Sequence, residues 1–383
     1  MNLGFLAEAY RAEGPYVTAY LQRYHVGEDA AQQVHLRWHV LAQRLRRSGA
    51  DEATVAALER AVLPERPGSV EAQGRVLVGA DGEVLLDRPL RPLPRIAVSV
   101  VLSGDQATWA PLPRLLALLV HEQVSPPHLV VIADRVGADI HVMTDGTDRI
   151  TAVEGEDHPL RKVQAGGWSH RRFQQRAENQ WEHNANLVAT TVSRLATRHR
   201  AKLVLLAGDV RARAAISDHL PTGLRRMVVE TEHGSRAPGA AETPLRDEAA
   251  RLASDLGARE HSEVTERFLT DRGDPDRTAE GLEQVIEAVR VHAVSTLLLD
   301  PAGYLDPSLP RRDLWVGLEE GTQLALSKTE LEKLGVEEYA ADRADSALIR
   351  ACVTTNADLE LLGGGDPVVS DGVAAVLRYP LPR

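Results

Sequence analysis

From Ser169 to His199 the apolar side chains return at helical spacing, at Phe173, Ala177, Trp181, Val188, Val192 and Leu195. A helix of that length with one apolar stripe must lie on a partner surface, and the flanking sequence supplies one. HLVVIADRVGADIHVMTDG reads as two strands joined by a tight turn, and LVLLAGD at 203–209 and RMVVE at 226–230 read as buried strands, with a helix end in ISDHLP between them. HGSRAPGAAETP is read as a loop, so the region is α/β.

The same patterning divides the rest of the chain. VTAYLQRY, from Val17, alternates like a strand, and Ala30–Arg47 places Val34, Trp38, Leu41 and Leu45 on one helical stripe. After a break at Ser48, Gly49 and Ala50 comes a second helix, DEATVAALERAVL, with Asp51 as its expected N-cap. VLVGADGEVLL predicts a hairpin about Asp81-Gly82, and IAVSVVLS predicts a strand. Beyond the breaker cluster DRGDPDR, GLEQVIEAVRVH and ADSALIRACVTT read as helices, and VSTLLLD, DLELLG and GVAAVLRY as strands. GGGDP at 363–367 reads as a turn. A chain of 383 residues exceeds one ordinary core. We therefore expect three domains, 1–125, 127–270 and 276–383, α/β in class with an α+β first domain.

Composition excludes several function classes. Hydrophobic content of 43% with 26% charged residues is that of a globular chain, and no apolar run reaches the ~18 residues of a membrane span. The N-terminal residues lack the charged and apolar pattern of a secretion signal, so a cytoplasmic location is expected. The single cysteine, Cys352, excludes a disulfide framework and a cysteine-cluster zinc site, and its spacing from Leu348 suggests a buried helical thiol. No metalloprotease, phosphate-loop or nucleophile-elbow motif is present, and the fourteen histidines are scattered, so neither a metal nor a cofactor is expected.

The charge is unevenly spread. Arg161 to Arg213 holds eleven Lys or Arg against Glu178, Glu182 and Asp209, a local +8 within a net −11, which leaves −19 for the remainder. Such a basic middle attracts phosphate backbones, while acidic flanks limit unspecific binding and suit a protein partner. The signal is concentrated in Gly166, Gly167, Trp168 and Ser169, followed by HRRFQQRAENQW. A glycine pair hands the chain to a helix with Ser169 as the expected N-cap. Arg171, Arg172 and Arg176 lie off its apolar stripe in the first turns. Cations there cost roughly 0.3–1 kcal/mol each against the helix dipole, so an anionic partner accounts for them better than helix stability does.

These residues resemble the eukaryotic- and archaeal-type class-one release factors, whose middle domain carries Gly-Gly-Gln-Ser, two residues and Arg-Phe before a basic helix; here the stretch is GGWSHRRF. GLEQVIEAVRVHAVSTLLLD and the closing GVAAVLRY are similar to the last domain of that family, and VTAYLQRY with two helices to the start of its first. The resemblance implies a three-domain, Pelota-like architecture of mixed sheets flanked by helices. It also implies a 70S ribosome as partner, entered at the A site through rRNA contacts, with neither DNA nor a membrane involved.

Two departures alter what the resemblance implies. Trp168 stands where the family's glutamine positions water, and an indole offers one N–H donor and no acceptor, which implies no peptide release. Ser48, Gly49, Ala50 and Asp51 occupy the loop where the family reads stop codons with Asn-Ile-Lys-Ser. What remains is similar to the family's bacterial branch, which includes Pelota-like rescue proteins, the hibernation factor Balon and mycobacterial members linked to dormancy. That branch implies a non-catalytic factor protecting idle ribosomes, with elongation factor Tu as a further partner near Glu319, Glu320, Glu337 and Glu338. Two alternatives stay open: a peptidyl-tRNA hydrolase using Gln164 or Gln174 in place of the missing amide, and an interaction protein that keeps the fold away from the ribosome. For Trp168 itself, packing against its own domain stands beside stacking on a nucleobase.

Overall fold

A computed structural model describes residues 1–22, 30–62, 74–90, 104–122, 126–144, 147–154, 168–237, 241, 243–306 and 311–381. It is a mixed α/β structure of several sheets flanked by helices. Contacts gather it into two compact units, Met1–Gln123 with His261–Arg383, and Val124–Glu260.

The first unit opens with a short 3-10 turn, Gly4–Tyr10. It continues through β1 (Tyr16–Gln22), α1 (Ala30–Arg47), α2 (Glu52–Val62), β2 (Gly74–Ala80), β3 (Glu83–Leu90), β4 (Gln106–Ala110) and α3 (Leu116–Glu122). The strands form an antiparallel sheet in the order β3-β2-β1-β4. Asp81 and Gly82 both hold positive φ, as the two-residue hairpin requires. β1 is buried on both faces. Val17, Ala19 and Leu21 meet Trp38, Leu41 and Leu45 of α1 and Val55 and Leu58 of α2, whereas Tyr16 and Tyr20 face a second core. That second core is shared with the end of the chain. The expected strand IAVSVVLS falls outside the described residues.

In the second unit β5 (His128–Ala133), β6 (Gly137–Thr144), β7 (Thr147–Glu154), α4 (Trp168–Arg198), β8 (Leu203–Gly208), α5 (Val210–His219), α6 (Thr222–Arg225) and β9 (Val228–Glu230) lead into α7 (Thr243–Asp271). The sheet runs β7-β6-β5-β8-β9, with β5, β8 and β9 parallel and the β5-β6-β7 meander antiparallel. α4 and α5 cover one face, and Leu245 and Ala249 of α7 cover the other. β7 and α7 were not among the expected elements.

The chain returns to the first unit within α7. It continues through β10 (Thr278–Glu280), α8 (Leu282–Arg290), β11 (Val294–Leu299), α9 (Ala302–Leu305), β12 (Asp313–Gly317), β13 (Leu324–Ala325), α10 (Lys328–Lys333), β14 (Tyr339–Arg343), α11 (Ala344–Thr355), β15 (Asp358–Leu361) and β16 (Val373–Leu377). A sheet of order β10-β16-β11-β15 packs α8 and α11 on one side and Phe268 of α7 on the other. A small sheet, β13-β12-β14, is inserted between β11 and α11.

The segments expected as first and last domains thus share one core: Leu3, Leu6, Leu115 and Leu118 pack in the same cluster as Ala347, Leu348 and Cys352. Asp342, fully buried, accepts a hydrogen bond from the Leu112 N–H at 2.7 Å and meets the Arg114 guanidinium at 2.5 Å. Cys352 is the buried helical thiol its spacing suggested, and burial pushes it up to about 12.

Candidate nucleic-acid interface

α4 lies on its sheet through Ala185, Val188, Ala189, Val192, Leu195 and Ala196, which continues the stripe read from sequence. The helix begins at Trp168, so Ser169 sits in the first turn and not at the cap. Gly166 and Gly167 lie outside the described residues. Trp168, Ser169, Arg171, Arg172 and Arg176 are placed on helical backbone, but their side chains, with that of Phe173, lie outside them as well.

The described cations of the basic segment divide into two kinds. Arg213 is a buried strut whose guanidinium donates to the Thr231 carbonyl at 2.7 Å and lies 3.3 Å from Glu230, and Lys202 pairs with Glu260 at 2.7 Å. Arg194, Arg198 and Arg200, by contrast, are exposed at the C-terminal end of α4. From His183 to Arg200 that helix and its capping residue contain no carboxylate. Cations at this end suit the helix dipole, so the sequence can keep positive charge here at no cost to the helix.

The Ser48–Asp51 turn is built differently. Gly49, at φ +92°, closes α1: its N–H donates to the Arg46 carbonyl at 3.1 Å and the Ala50 N–H to the Leu45 carbonyl at 3.0 Å, the paired bonds of a Schellman cap. The Ser48 hydroxyl donates back to the Leu45 carbonyl at 2.9 Å. Asp51 caps α2 as expected, accepting from the Thr54 N–H and hydroxyl, each at 2.8 Å; those bonds hold its carboxyl below the usual range. Arg46 and Glu52 bridge the corner with two bonds of 2.8 and 2.7 Å. The polar side chains of this turn therefore bond the backbone or one another.

At the carboxyl ends of β5 and β8 the structure brings together residues that no spacing in the sequence links. Arg135 stacks over the Trp181 ring at 4.6 Å and lies 3.5 Å from Asp209, whose carboxylate caps α5 by accepting from the N–H groups of Arg211 and Ala212. Arg236 clamps Asp134 and Asp139 at 3.1 and 3.0 Å, tying the loop after β9 to the β5–β6 hairpin. Between α4 and α5 lies a cleft of about 190 Å³. Neither Arg135 nor Trp181 was singled out as a site residue, because their meeting depends on the tertiary packing of α4 against a turn 46 residues earlier.

In the first unit the Leu318 N–H bonds the Glu338 carbonyl at 3.0 Å, which brings the exposed Glu319 and Glu320 to the same end of the small sheet as Glu337 and Glu338. His261 of α7 lies between two carboxylates, 2.7 Å from Glu360 and 2.8 Å from Asp366. Glu360 is the larger cause, and together the two raise the imidazole to about 9. In the GGGDP turn the Asp366 carboxylate also accepts from the Gly363 N–H at 2.6 Å. Among the described residues no group of three or more His, Cys, Asp or Glu side chains is arranged to hold a metal, and no helix is long and apolar enough to cross a membrane.

The sequence model of bacterial archaeo-eukaryotic release factor family 2 matches residues 127–274, from the start of β5 to just past α7. Over that stretch the chain is similar to this family. Two proteins of Mycobacterium tuberculosis, Uncharacterized protein Rv2629 of strain H37Rv and Uncharacterized protein MT2704 of strain CDC 1551, are each 26% identical over 373 residues, 96% of this chain and 94% of theirs. Similar solved structures include the archaeal translation termination factor aRF1, with a TM-score of 0.28, 14% identity, and coverage of 98% of this chain and 96% of that one. Dom34 of S. cerevisiae, a translation termination-like factor involved in RNA quality control pathways and interacting with Hbs1, gives a TM-score of 0.39 at 12% identity over 78% of this chain and 75% of its own. The matched stretch includes the whole of α4, which begins at Trp168.

Proposed function

We propose that this chain is a non-catalytic ribosome-binding factor that enters the A site of the 70S ribosome and protects idle ribosomes in dormancy or stress. One observation carries the reading: a release-factor domain in which Trp168 follows the glycine pair that leads into α4. An indole supplies one donor and no acceptor, so the water-positioning of a glutamine amide is lost, while the basic helix that follows is kept. Gly166, Gly167, Trp168 and Ser169 with Arg171, Arg172 and Arg176 are the proposed contacts with rRNA at the peptidyl-transferase centre.

In this reading 1–125, 127–270 and 276–383 each carry a contact of their own in the cytoplasm, the first and last from the core they share. The Ser48–Asp51 turn reaches the decoding centre by shape, without reading a codon, because its side chains serve the two helix caps. The acidic end of the small sheet, with Glu319, Glu320, Glu337 and Glu338, is the proposed contact for elongation factor Tu.

Co-sedimentation of the purified protein with vacant 70S ribosomes across a salt series tests the reading. Binding is expected to weaken by orders of magnitude between low and moderate salt, since each released phosphate counterion adds to the slope. The variant R171E/R172E/R176E is expected not to bind. Peptidyl-tRNA incubated with the protein on ribosomes is expected to stay intact; release of peptide that Gln164→Ala abolishes would establish the hydrolase instead. Absence of binding at low salt would leave an interaction protein working off the ribosome.

A further inference from the structure

The cleft between α4 and α5 has no part in the reading above, and we propose that it binds a single unstacked nucleobase of RNA, with the attached phosphate held by Arg211. Its floor is aliphatic, formed by Ala185 and Val188 of α4 and Ala212 and Ile216 of α5. Its mouth holds a planar cation over an indole, Arg135 on Trp181 at 4.6 Å. Unstacked bases are recognised between such surfaces, an aromatic ring or an arginine plane on one side and apolar contacts on the other. The volume, about 190 Å³, falls below the roughly 300–1,000 Å³ of pockets that enclose a whole drug-sized ligand. It suits one ring system, with the sugar and phosphate left at the rim.

The charges at that rim select an anion. Asp134 is engaged by Arg236 at 3.1 Å, and Glu182 lies 3.0 Å from the His219 imidazole. Asp209 occupies the N-terminus of α5 and approaches Arg135. Both lining carboxylates thus already face a basic group, while the exposed Arg211 guanidinium stands at the edge of the cleft. The phosphate contact falls to that side chain, because the helix N-terminus is already capped. An acidic peptide with a bulky apolar residue would share the floor and the charge. A flat ring is favoured over it because α4 continues past the cleft with Arg194 and Arg198 and no carboxylate, a surface that follows a phosphate backbone.

This inference rests on the RNA-binding reading of the release-factor domain, so the test separates the two. Full-length protein is titrated into fluorescein-labelled single-stranded hexaadenylate and into the same backbone without bases, with anisotropy as the readout. Vacant 70S ribosomes are co-sedimented in parallel. Hexaadenylate is expected to bind at least tenfold more tightly than the abasic oligomer, and Trp181→Leu is expected to remove that advantage. Arg211→Glu is expected to weaken binding of both oligomers, since both carry the phosphate, and Arg211→Lys, which keeps the charge on an exposed position, to retain most of that binding and control for folding. Equal binding of the two oligomers by the wild type, or an unchanged base preference in Trp181→Leu, would overturn the cleft as a base site. So would full displacement of hexaadenylate by an equimolar Glu- and Phe-containing peptide, which would assign the cleft to protein. If the wild type sediments with ribosomes yet shows no base preference, the cleft proposal alone fails; loss of both bindings would take the ribosomal reading with it.

Discussion

The solvent face of α4 and the seam that joins the first and last segments of the chain are both rich in arginine, yet they use it in opposite ways. At the seam Arg114 meets buried Asp342, and Arg343 forks onto Asp345 at 2.8 and 3.1 Å. Each guanidinium is held by a carboxylate that is at most 2% exposed. On α4 and just past it, Arg194, Arg198 and Arg200 stand in solvent. A charge locked to a buried partner specifies a fold, whereas a charge left in water is available to another molecule. Composition counts both alike. Only the structure separates them, and it moves Arg213, counted in the basic segment, into the first class.

Breaking the seam is expected to give the largest effect. Asp342→Ala would leave the Arg114 guanidinium and the Leu112 N–H without their carboxylate, a loss of about 3–5 kcal/mol. Urea denaturation checks it, and a loss under about 1 kcal/mol would mean that the seam is not what joins the two segments. His261 is an intermediate case, half-buried between Glu360 and Asp366. Its value in the fold, about 9, lies above the ordinary 6.5, so the clasp contributes fully below about pH 6.5 and is lost as pH rises through about 9. Urea midpoints from pH 6 to pH 10 should fall across that window, and His261→Gln should flatten the fall. For two partly exposed charge-assisted bonds the difference is expected to be on the order of 1–2 kcal/mol. Asp51→Ala should lower the urea midpoint by removing the N-cap of α2, and Asp51→Asn, which can still accept from the Thr54 N–H, much less. If the capping turn reaches the decoding centre by shape alone, ribosome binding by Asp51→Asn should not depend on the codon presented.

Elements whose apolar period is strong and whose ends carry caps were legible in the sequence. α1 and α11 run over the expected residues, Ala30–Arg47 and Ala344–Thr355, and the Asp81-Gly82 hairpin and the Asp51 cap are where they were expected. α7 was missed for a physical reason. Its buried contacts come in separate groups, Leu245, Ala249 and Ala253 near the start and Phe268 near the end, so no single stripe runs its length. The strands β12 and β14 were hidden by short runs broken by charge, such as DLWVG and YAADR, whose burial depends on the seam. The GGWS stretch was legible as sequence, because a glycine pair and N-terminal arginines conflict with helix preference. The Arg135–Trp181 stack and the His261 clasp were not, since each joins residues far apart in the chain.

The last variant changes the exposed arginines of α4 and should barely move stability. Arg194 and Arg198 are exposed and lie off the apolar stripe, so R194E/R198E removes no packing. Acidic residues at that end oppose the helix dipole by a few tenths of a kcal/mol each, and surface changes of this kind usually stay within about 0.5 kcal/mol. If these side chains track a phosphate backbone, the same variant should lose ribosome affinity several-fold at low salt. Its plot of log affinity against log salt should also be shallower than that of the wild type by about one unit per contact removed. An unchanged slope with unchanged stability would return this end of α4 to an ordinary solvated face and confine the proposed nucleic-acid contacts to Trp168, Ser169, Arg171, Arg172 and Arg176 and the glycine pair before them.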